Sequence, residues 1–159
     1  MSPFERLVAA LDAGSARYRV IEHEPAGQSD RVAAIRGTKP SQGAKAIVCR
    51  VPVGDREQLV LAIVAGDRKL DMKAVAAIVG GKKASFAAPA LAEEITGCTI
   101  GAIPPVAFDD RLTVVADQTL LDTEDEIAFN AGRLDRSIVL SSADYRRIFS
   151  PRIGRIALG

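Results

Sequence analysis

Two long apolar runs joined by a short polar connection constrain this fold more than any other feature of the sequence. The runs are "AKAIVCRV" and "QLVLAIV", and the connection between them is "PVGDRE". Both runs are rich in β-branched residues, and so short a connection joins neighbouring antiparallel strands. The sequence therefore predicts a β-hairpin whose two strands are largely buried.

The remaining segments alternate between predicted helices and predicted strands. Helices are predicted over "PFERLVAALDA" with a capping box at Ser2 and Glu5, "RVAAIR" capped by Ser29 or Asp30, "MKAVAAIV" capped by Asp71, "ALAEEIT" after Pro89, and "ADYRRIF" capped by Ser141 or Ser142. Further strands are predicted over "YRVIEHE", residues 84–87, "LTVVAD", "DEIAFNAG" and "RSIVLS". Several links between strands are too short for crossover helices. We therefore expect an α/β fold of the mixed α+β type, with a barrel-like mixed sheet surrounded by helices.

The composition is that of one ordinary globular domain over residues 1–159, with 48% hydrophobic and 26% charged residues. A net charge of +1 argues against a large sequence-independent DNA binder. Cys49 and Cys98, with a single histidine in the chain, make neither a disulfide framework nor a zinc site. Charges interrupt the first residues, so no signal peptide or membrane span is predicted there, and we expect a soluble, cytoplasmic protein with no membrane partner.

The standard catalytic motifs are absent from this sequence. It has no phosphate-binding Walker loop, no GxSxG elbow, no HExxH and no CxxC. His23 is the only histidine, and its setting "IEHEP" at a strand end favours a structural role over a catalytic one. An enzyme with this sequence is therefore expected to work by positioning its substrate rather than through a strong nucleophile.

A few polar and basic side chains remain as candidates for a ligand site. Lys45 opens the first hairpin strand after Gly43 and Ala44, where it is either a solvated lysine or a group at the mouth of a pocket. Polar or small residues also end two consecutive predicted strands: Asp117, Asn130 and Gly132. Such residues either converge on one rim of a sheet, where ligands bind, or simply form turns. An arginine cluster near the C-terminus is a solvated face or a nucleic-acid contact: Arg146, Arg147, Arg152 and Arg155.

The segment "TGCTIGAIPPVAF", residues 96–108, is an apolar loop where a polar one is usual. Pro104 and Pro105 restrict its backbone, and Gly101 lets a ligand approach the main chain closely. This combination predicts a stiff wall against which a ligand is held.

Five segments in order resemble the aminoacyl-tRNA deacylases related to the editing insertion of bacterial prolyl-tRNA synthetase, the YbaK-type domain. They are "GAKAIVCRV", "LAIVAGDRKLD", "ITGCTIGAIPP", "VVAD" and "EIAFNAG". The resemblance covers residues 18–149, and its most specific parts are the strand lysine and the Gly-x-x-x-Pro loop. It is greatest for the free-standing members that clear seryl- and threonyl-tRNA mistakes, through "IRGT", "SQGAKA", "GCTIGAIPP", "EIAFNAGRLDRSIVL" and "ADYRRI".

The resemblance implies hydrolysis of the ester of mischarged tRNA, without a metal or other cofactor. It implies catalytic roles for Lys45, Gly101 and Pro105. The candidate substrate-binding residues are Ala102, Ile103, Pro104, Asp117, Asn130, Gly132 and His23. The implied partner is the tRNA acceptor end, with an aminoacyl-tRNA synthetase as a second candidate and no DNA. The sequence shows no synthetase catalytic or anticodon-binding domain, so action in trans is expected.

Two other functions stay open at this stage. One is a non-catalytic module of the same fold that binds tRNA ends or a small metabolite. The other is hydrolysis of a different small ester or amide. Intact Lys45, Gly101 and Pro105 favour the enzyme over the module.

Overall fold

The computed structural model describes residues 1–159 and contains six α-helices and eight strands. The helices are α1 (Pro3–Ala13), α2 (Ser29–Arg36), α3 (Met72–Ile78), α4 (Pro89–Thr96), α5 (Gln118–Thr123) and α6 (Ser142–Phe149). The strands are β1 (Tyr18–Glu22), β2 (Ala44–Val53), β3 (Arg56–Ala65), β4 (Ser85–Phe86), β5 (Leu112–Asp117), β6 (Glu126–Arg133), β7 (Arg136–Ser141) and β8 (Arg152–Gly154). Every predicted helix and strand is present. The structure adds α5, β8 and a 3₁₀ turn at Pro40–Gln42.

The strands form two sheets instead of one barrel-like sheet. Three of them make an antiparallel sheet in the order β1-β7-β6, and the other five are ordered β4-β2-β3-β5-β8. The larger sheet is mixed, because β2 pairs antiparallel with β3 while β3 pairs parallel with β5. A bridge between Gly43 and Ala128 connects the two sheets. The mixed α/β class is therefore confirmed, but the sheet does not close.

The predicted hairpin is confirmed and forms the centre of the larger sheet. β2 and β3 pair along their whole length around a turn at Gly54, which has φ +64°. Leu61 and Ile63 of β3 lie in one hydrophobic cluster, and Ala62 and Val64 lie in another. Since both faces of β3 are covered over its second half, the strand is apolar at every position from residue 59 to 65 rather than at alternate ones.

Two hydrophobic clusters stabilise the fold. The larger has 23 buried residues and joins the two sheets to α1, which contributes Leu7 and Leu11. The smaller has 10 buried residues, lies on the opposite face of the larger sheet against α3, and includes Cys49. Both cysteines are free and buried, and burial raises the pKa of the Cys49 thiol to about 11. Cys49 therefore packs as a small hydrophobic residue, as predicted.

The helix caps follow the sequence signals at three of the predicted helices. Ser2 completes a capping box on α1, Asp71 caps α3 and Ser141 caps α6. At α2 the predicted cap is wrong: the N-cap is Gln28, and Ser29 is already inside the helix. None of the helices has both the length and the apolar character needed to cross a membrane.

Candidate active site

A cavity of about 230 Å³ opens where the two sheets meet. Four stretches of chain line it: α2 with Gly27 just before it, residues 43–47 at and just before the start of β2, the Gly101 loop, and residues 128–130 of β6. Eight of the fifteen lining residues are hydrophobic, and no aspartate or glutamate is among them. The ionisable groups of the lining are Lys45 and Arg36, so the cavity is positively charged.

Lys45 lies at this cavity, which is the less common of the two placements open to a lysine at a strand start. The side chain is half-buried, and its Nζ donates a hydrogen bond to the carbonyl of Arg68 at 2.7 Å. Burial lowers the pKa of Lys45, while Asp67 opposes that shift and Lys69 adds to it. An ammonium group has three N–H donors, so two remain for a ligand.

The proline loop forms one wall of the same cavity. Gly101 and Ile103 line it, whereas Ala102, Pro104 and Pro105 are buried behind the lining. The carbonyl of Pro105 accepts a hydrogen bond of 2.6 Å from the buried Tyr145 hydroxyl. The loop is apolar because it packs into the protein. Gly101 lines the cavity, whereas Pro105 is buried behind the lining.

Asn130 connects several segments around the cavity through its side-chain amide. Its Nδ2 donates to the carbonyls of Ala26 at 2.7 Å and Gly101 at 2.8 Å. Its Oδ1 accepts from Arg36 Nη2 at 3.0 Å and from the Ser137 hydroxyl at 3.1 Å. All four hydrogen-bonding positions of the amide are therefore used. Asn130 lines the cavity as predicted, and it holds the Gly101 loop in place.

His23 lies behind the cavity instead of in its lining. Its Nε2 is 2.7 Å from the Ser137 hydroxyl, and its Nδ1 is 2.7 Å from the carbonyl of Glu24. Both ring nitrogens are thus occupied within the protein, which fits a structural histidine. No group of three or more His, Cys, Asp or Glu side chains is arranged to hold a metal ion.

The structure does not bring Asp117 or Gly132 to the cavity. The Asp117 carboxylate is 2% exposed, and it accepts hydrogen bonds from the backbone N–H groups of Leu120, Ile156 and Ala157. The backbone N–H of Gly132 donates to the carbonyl of Ala102 at 2.9 Å. Asp117 therefore fastens α5 and the C-terminal segment to β5, and Gly132 braces the proline loop from behind.

Replacing Asp117 with alanine is expected to lower the free energy of unfolding by about 3 kcal/mol, because two buried N–H groups and one part-buried N–H group lose their acceptor. Asp110→Ala, at an exposed position, is the matched control and is expected to change stability by less than about 0.5 kcal/mol. Urea unfolding monitored by circular dichroism measures both variants. Equal stability of the two variants would contradict the anchoring role.

Three of the four arginines in the C-terminal cluster make polar contacts within the protein. Arg146 pairs with Asp122 at 3.1 Å, and Arg147 pairs with Asp144 at 3.2 Å. Arg152 donates to a backbone carbonyl, and Arg155 is exposed. These contacts favour the solvated face over a nucleic-acid contact.

The sequence patterns missed the α2 side of the cavity. Ser29, Val32 and Arg36 all line it. Their spacing of three and four residues places them on one face of a helix, and that was the available signal. Arg36 is 8% exposed, and a buried arginine is not expected from composition.

Comparison with known protein families shows which family this chain belongs to. The family model named "Aminoacyl-tRNA editing domain" matches residues 23–148, which include all four stretches around the cavity. The chain belongs to the aminoacyl-tRNA editing domain family. It is 48% identical over 149 residues to the Multifunctional Ser/Thr-tRNA deacylase ProXp-y of Escherichia coli (strain K12). That alignment covers 94% of this chain and 89% of the relative.

Solved structures share the fold of this editing domain. The hypothetical protein APE2540 superposes with a TM-score of 0.86 at 19% identity, covering 96% of this chain and 99% of the other. A candidate trans-editing enzyme for prolyl tRNA synthetase superposes with a TM-score of 0.82 at 22% identity, covering 100% and 99%. At these identities the likeness shows a shared fold.

Proposed function

We propose that this editing domain is a trans-acting deacylase that hydrolyses the ester joining serine or threonine to a mischarged tRNA. Membership of the editing family and 48% identity to a relative named a Ser/Thr-tRNA deacylase support this assignment. The observation that carries it is that Lys45 and Gly101 line one cavity that contains no acidic side chain.

The charge of the cavity suits the end of an aminoacyl-tRNA. Its two ionisable lining groups, Lys45 and Arg36, are cations, and the substrate presents phosphate, ribose and carbonyl oxygens. Lys45 keeps two N–H donors beyond its bond to the Arg68 carbonyl, and these bind oxygens of the terminal nucleotide.

The reaction breaks the bond between the ester carbonyl carbon and the ribose oxygen. A water oxygen bonds to the carbonyl carbon, and the ribose oxygen leaves with a proton that water supplies, giving a free amino acid and an uncharged tRNA. Holding the water and the ester in register can contribute about 7–11 kcal/mol toward the barrier. The fixed wall at Gly101, which Asn130 holds by a 2.8 Å hydrogen bond, supplies this positioning.

A deacylation panel tests the proposal directly. The protein is incubated with tRNAs charged with Ser, Thr, Ala, Cys or Pro, and the surviving ester is counted over time. We expect rapid loss of the Ser and Thr esters. Survival of all five esters would contradict the proposal.

Two parallel measurements separate the other functions. Binding of the tRNA end without turnover indicates a non-catalytic module, and equal rates on free amino acid esters indicate a general esterase. A cytoplasmic location and a synthetase partner belong to the same proposal, and co-purification with synthetases from a cytoplasmic extract tests them.

A further inference from the structure

We propose that Arg36 selects hydroxyl-bearing amino acids by donating a hydrogen bond from Nη1 to the side-chain hydroxyl of the bound seryl or threonyl ester. This inference rests on the proposed deacylase function and names the group that determines its specificity. Arg36 is on the last turn of α2 and lines the cavity.

Arg36 lines the cavity and has an unused donor. Its Nε donates to the Ser137 hydroxyl at 2.7 Å, and its Nη2 donates to Asn130 Oδ1 at 3.0 Å. Nη1 makes no hydrogen bond within the protein. The single fully buried side-chain polar atom without a partner is Thr38 Oγ1, so the unpartnered Nη1 keeps accessible surface, on a residue that lines the cavity. Both partners of Arg36 are neutral, and two further N–H bonds of Nη1 remain available.

Burial orders the polar groups of the lining from floor to mouth. Arg36 and Asn130 are 8% and 5% exposed, whereas Lys45 is half-buried and Gly101 is exposed. The amino acid is the terminal group of an aminoacyl-tRNA, so it enters first and its side chain reaches deepest. The ester and the ribose stay nearer to Lys45 and Gly101, and the amino acid side chain meets the floor.

Of the two buried polar residues in the lining, Arg36 and Asn130, only Arg36 has an unused hydrogen-bond donor. Asn130 already uses both N–H groups and both lone pairs of its amide oxygen. Ser29 also lines the cavity, but it is half-buried at the first residue of α2, away from the deepest groups.

A guanidinium donor discriminates a hydroxyl from a methyl group of similar size. Burial lowers the pKa of Arg36 to about 10, so the group stays protonated at neutral pH and its hydrogen bond is charge-assisted. A methyl group at the same place covers Nη1 without accepting its hydrogen, which leaves a desolvated donor unpaired.

The test compares tRNA charged with serine and tRNA charged with 2-aminobutyrate, in which a methyl group replaces the hydroxyl. The wild-type protein is expected to prefer the seryl ester by about 10- to 100-fold in kcat/KM. Arg36→Met is expected to reduce this preference to less than about threefold. Arg31→Met is the matched control, because Arg31 is an exposed residue of the same helix that pairs with Glu24.

The ratio of kcat/KM for the seryl ester to kcat/KM for the 2-aminobutyryl ester distinguishes direct recognition of the hydroxyl by Arg36 from a purely structural role of Arg36. Arg36 also holds Asn130, so its loss lowers turnover of both esters, and that common loss cancels in the ratio. An equal loss on both esters, with the serine preference retained, would overturn the assignment and leave Arg36 as a support for Asn130.

A second measurement uses the wild-type protein alone and so does not depend on how the variant folds. Stable amide analogues, in which seryl or 2-aminobutyryl is joined to 3′-amino-3′-deoxyadenosine, are bound in a calorimeter. Tighter binding of the seryl analogue by about tenfold or more supports recognition of the hydroxyl by the buried part of the cavity, where Arg36 lies. Turnover or binding with no preference for serine overturns the Arg36 inference alone, whereas no hydrolysis of any ester by the wild type overturns the deacylase function as well.

Discussion

Replacing Lys45 with alanine is expected to lower kcat/KM for seryl-tRNA by about 100- to 1,000-fold while leaving the protein folded. Lys45 is the rim cation of a cavity without carboxylates, and the loss of one fixed donor to reacting oxygens has an effect of this size. Its single internal hydrogen bond, to the Arg68 carbonyl, contributes little to stability. Single-turnover deacylation and thermal unfolding measure the two effects separately.

The control for this experiment is Lys73→Ala, which removes an exposed lysine from α3, outside the cavity lining. It is expected to retain wild-type activity within about twofold. A fall of less than tenfold in Lys45→Ala would show that the lysine is only a solvated strand-end residue.

The pH profile gives an independent check on Lys45. Burial lowers the pKa of this lysine, so the ammonium form is lost, as pH rises, at a lower pH than for an exposed lysine. After subtraction of spontaneous ester hydrolysis, the activity of the wild type is expected to decline on the alkaline side, and the residual activity of Lys45→Ala is not. Parallel profiles for the two proteins would contradict a role for the charged lysine.

Local sequence signals were sufficient for most of the fold. The hairpin, the capping box at Ser2 and the caps at Asp71 and Ser141 depend on residues within a few positions of one another. The two-sheet arrangement depends instead on which strands pair at long range. β6 pairs with β7, and a bridge between its Ala128 and Gly43, the residue before β2, joins it to the larger sheet. Nothing in either segment alone specifies that choice.

The same long-range pairing explains why Asn130 lies at the cavity and Asp117 does not, although both are polar residues near the ends of consecutive predicted strands. Asn130 is two residues from Ala128, at the bridge where the two sheets meet and the cavity opens. Asp117 ends β5 and pairs with Gly154 of β8, the edge strand of the larger sheet. The two polar residues therefore lie in different surroundings.

The candidate site was partly accessible from the sequence. Lys45 and Gly101 are candidates from their positions alone, but only the family resemblance implies catalytic roles for them, since a lysine before an apolar strand is usually solvated. Arg36 was not named, because its partners Asn130 and Ser137 are about a hundred positions away in the chain. Only the folded structure shows that this arginine is buried, partly unpaired and at the floor of the cavity.

Replacing Gly101 with alanine is expected to reduce kcat/KM by about 100-fold, with a loss of only about 1 kcal/mol in stability. Gly101 has φ +91°, a conformation that side chains rarely adopt. An added Cβ would lie 3.3 Å from the Gly27 Cα and 3.5 Å from Leu134 Cδ2, so the loop must move at the cavity wall. A displacement of about 1 Å at a positioning site costs on the order of 100-fold in rate.

Gly54→Ala separates backbone strain from the effect on the cavity. Gly54 also has a left-handed backbone, with φ +64°, but it is in the hairpin turn, and an added Cβ meets no atom within 4 Å. Both variants should therefore lose similar stability, because the conformational strain is similar. Only Gly101→Ala should lose activity, since only that residue shapes the wall opposite Gly27. If both variants keep wild-type rates on seryl-tRNA, the enzyme does not depend on a rigid wall, and catalysis by positioning is the wrong account of this site.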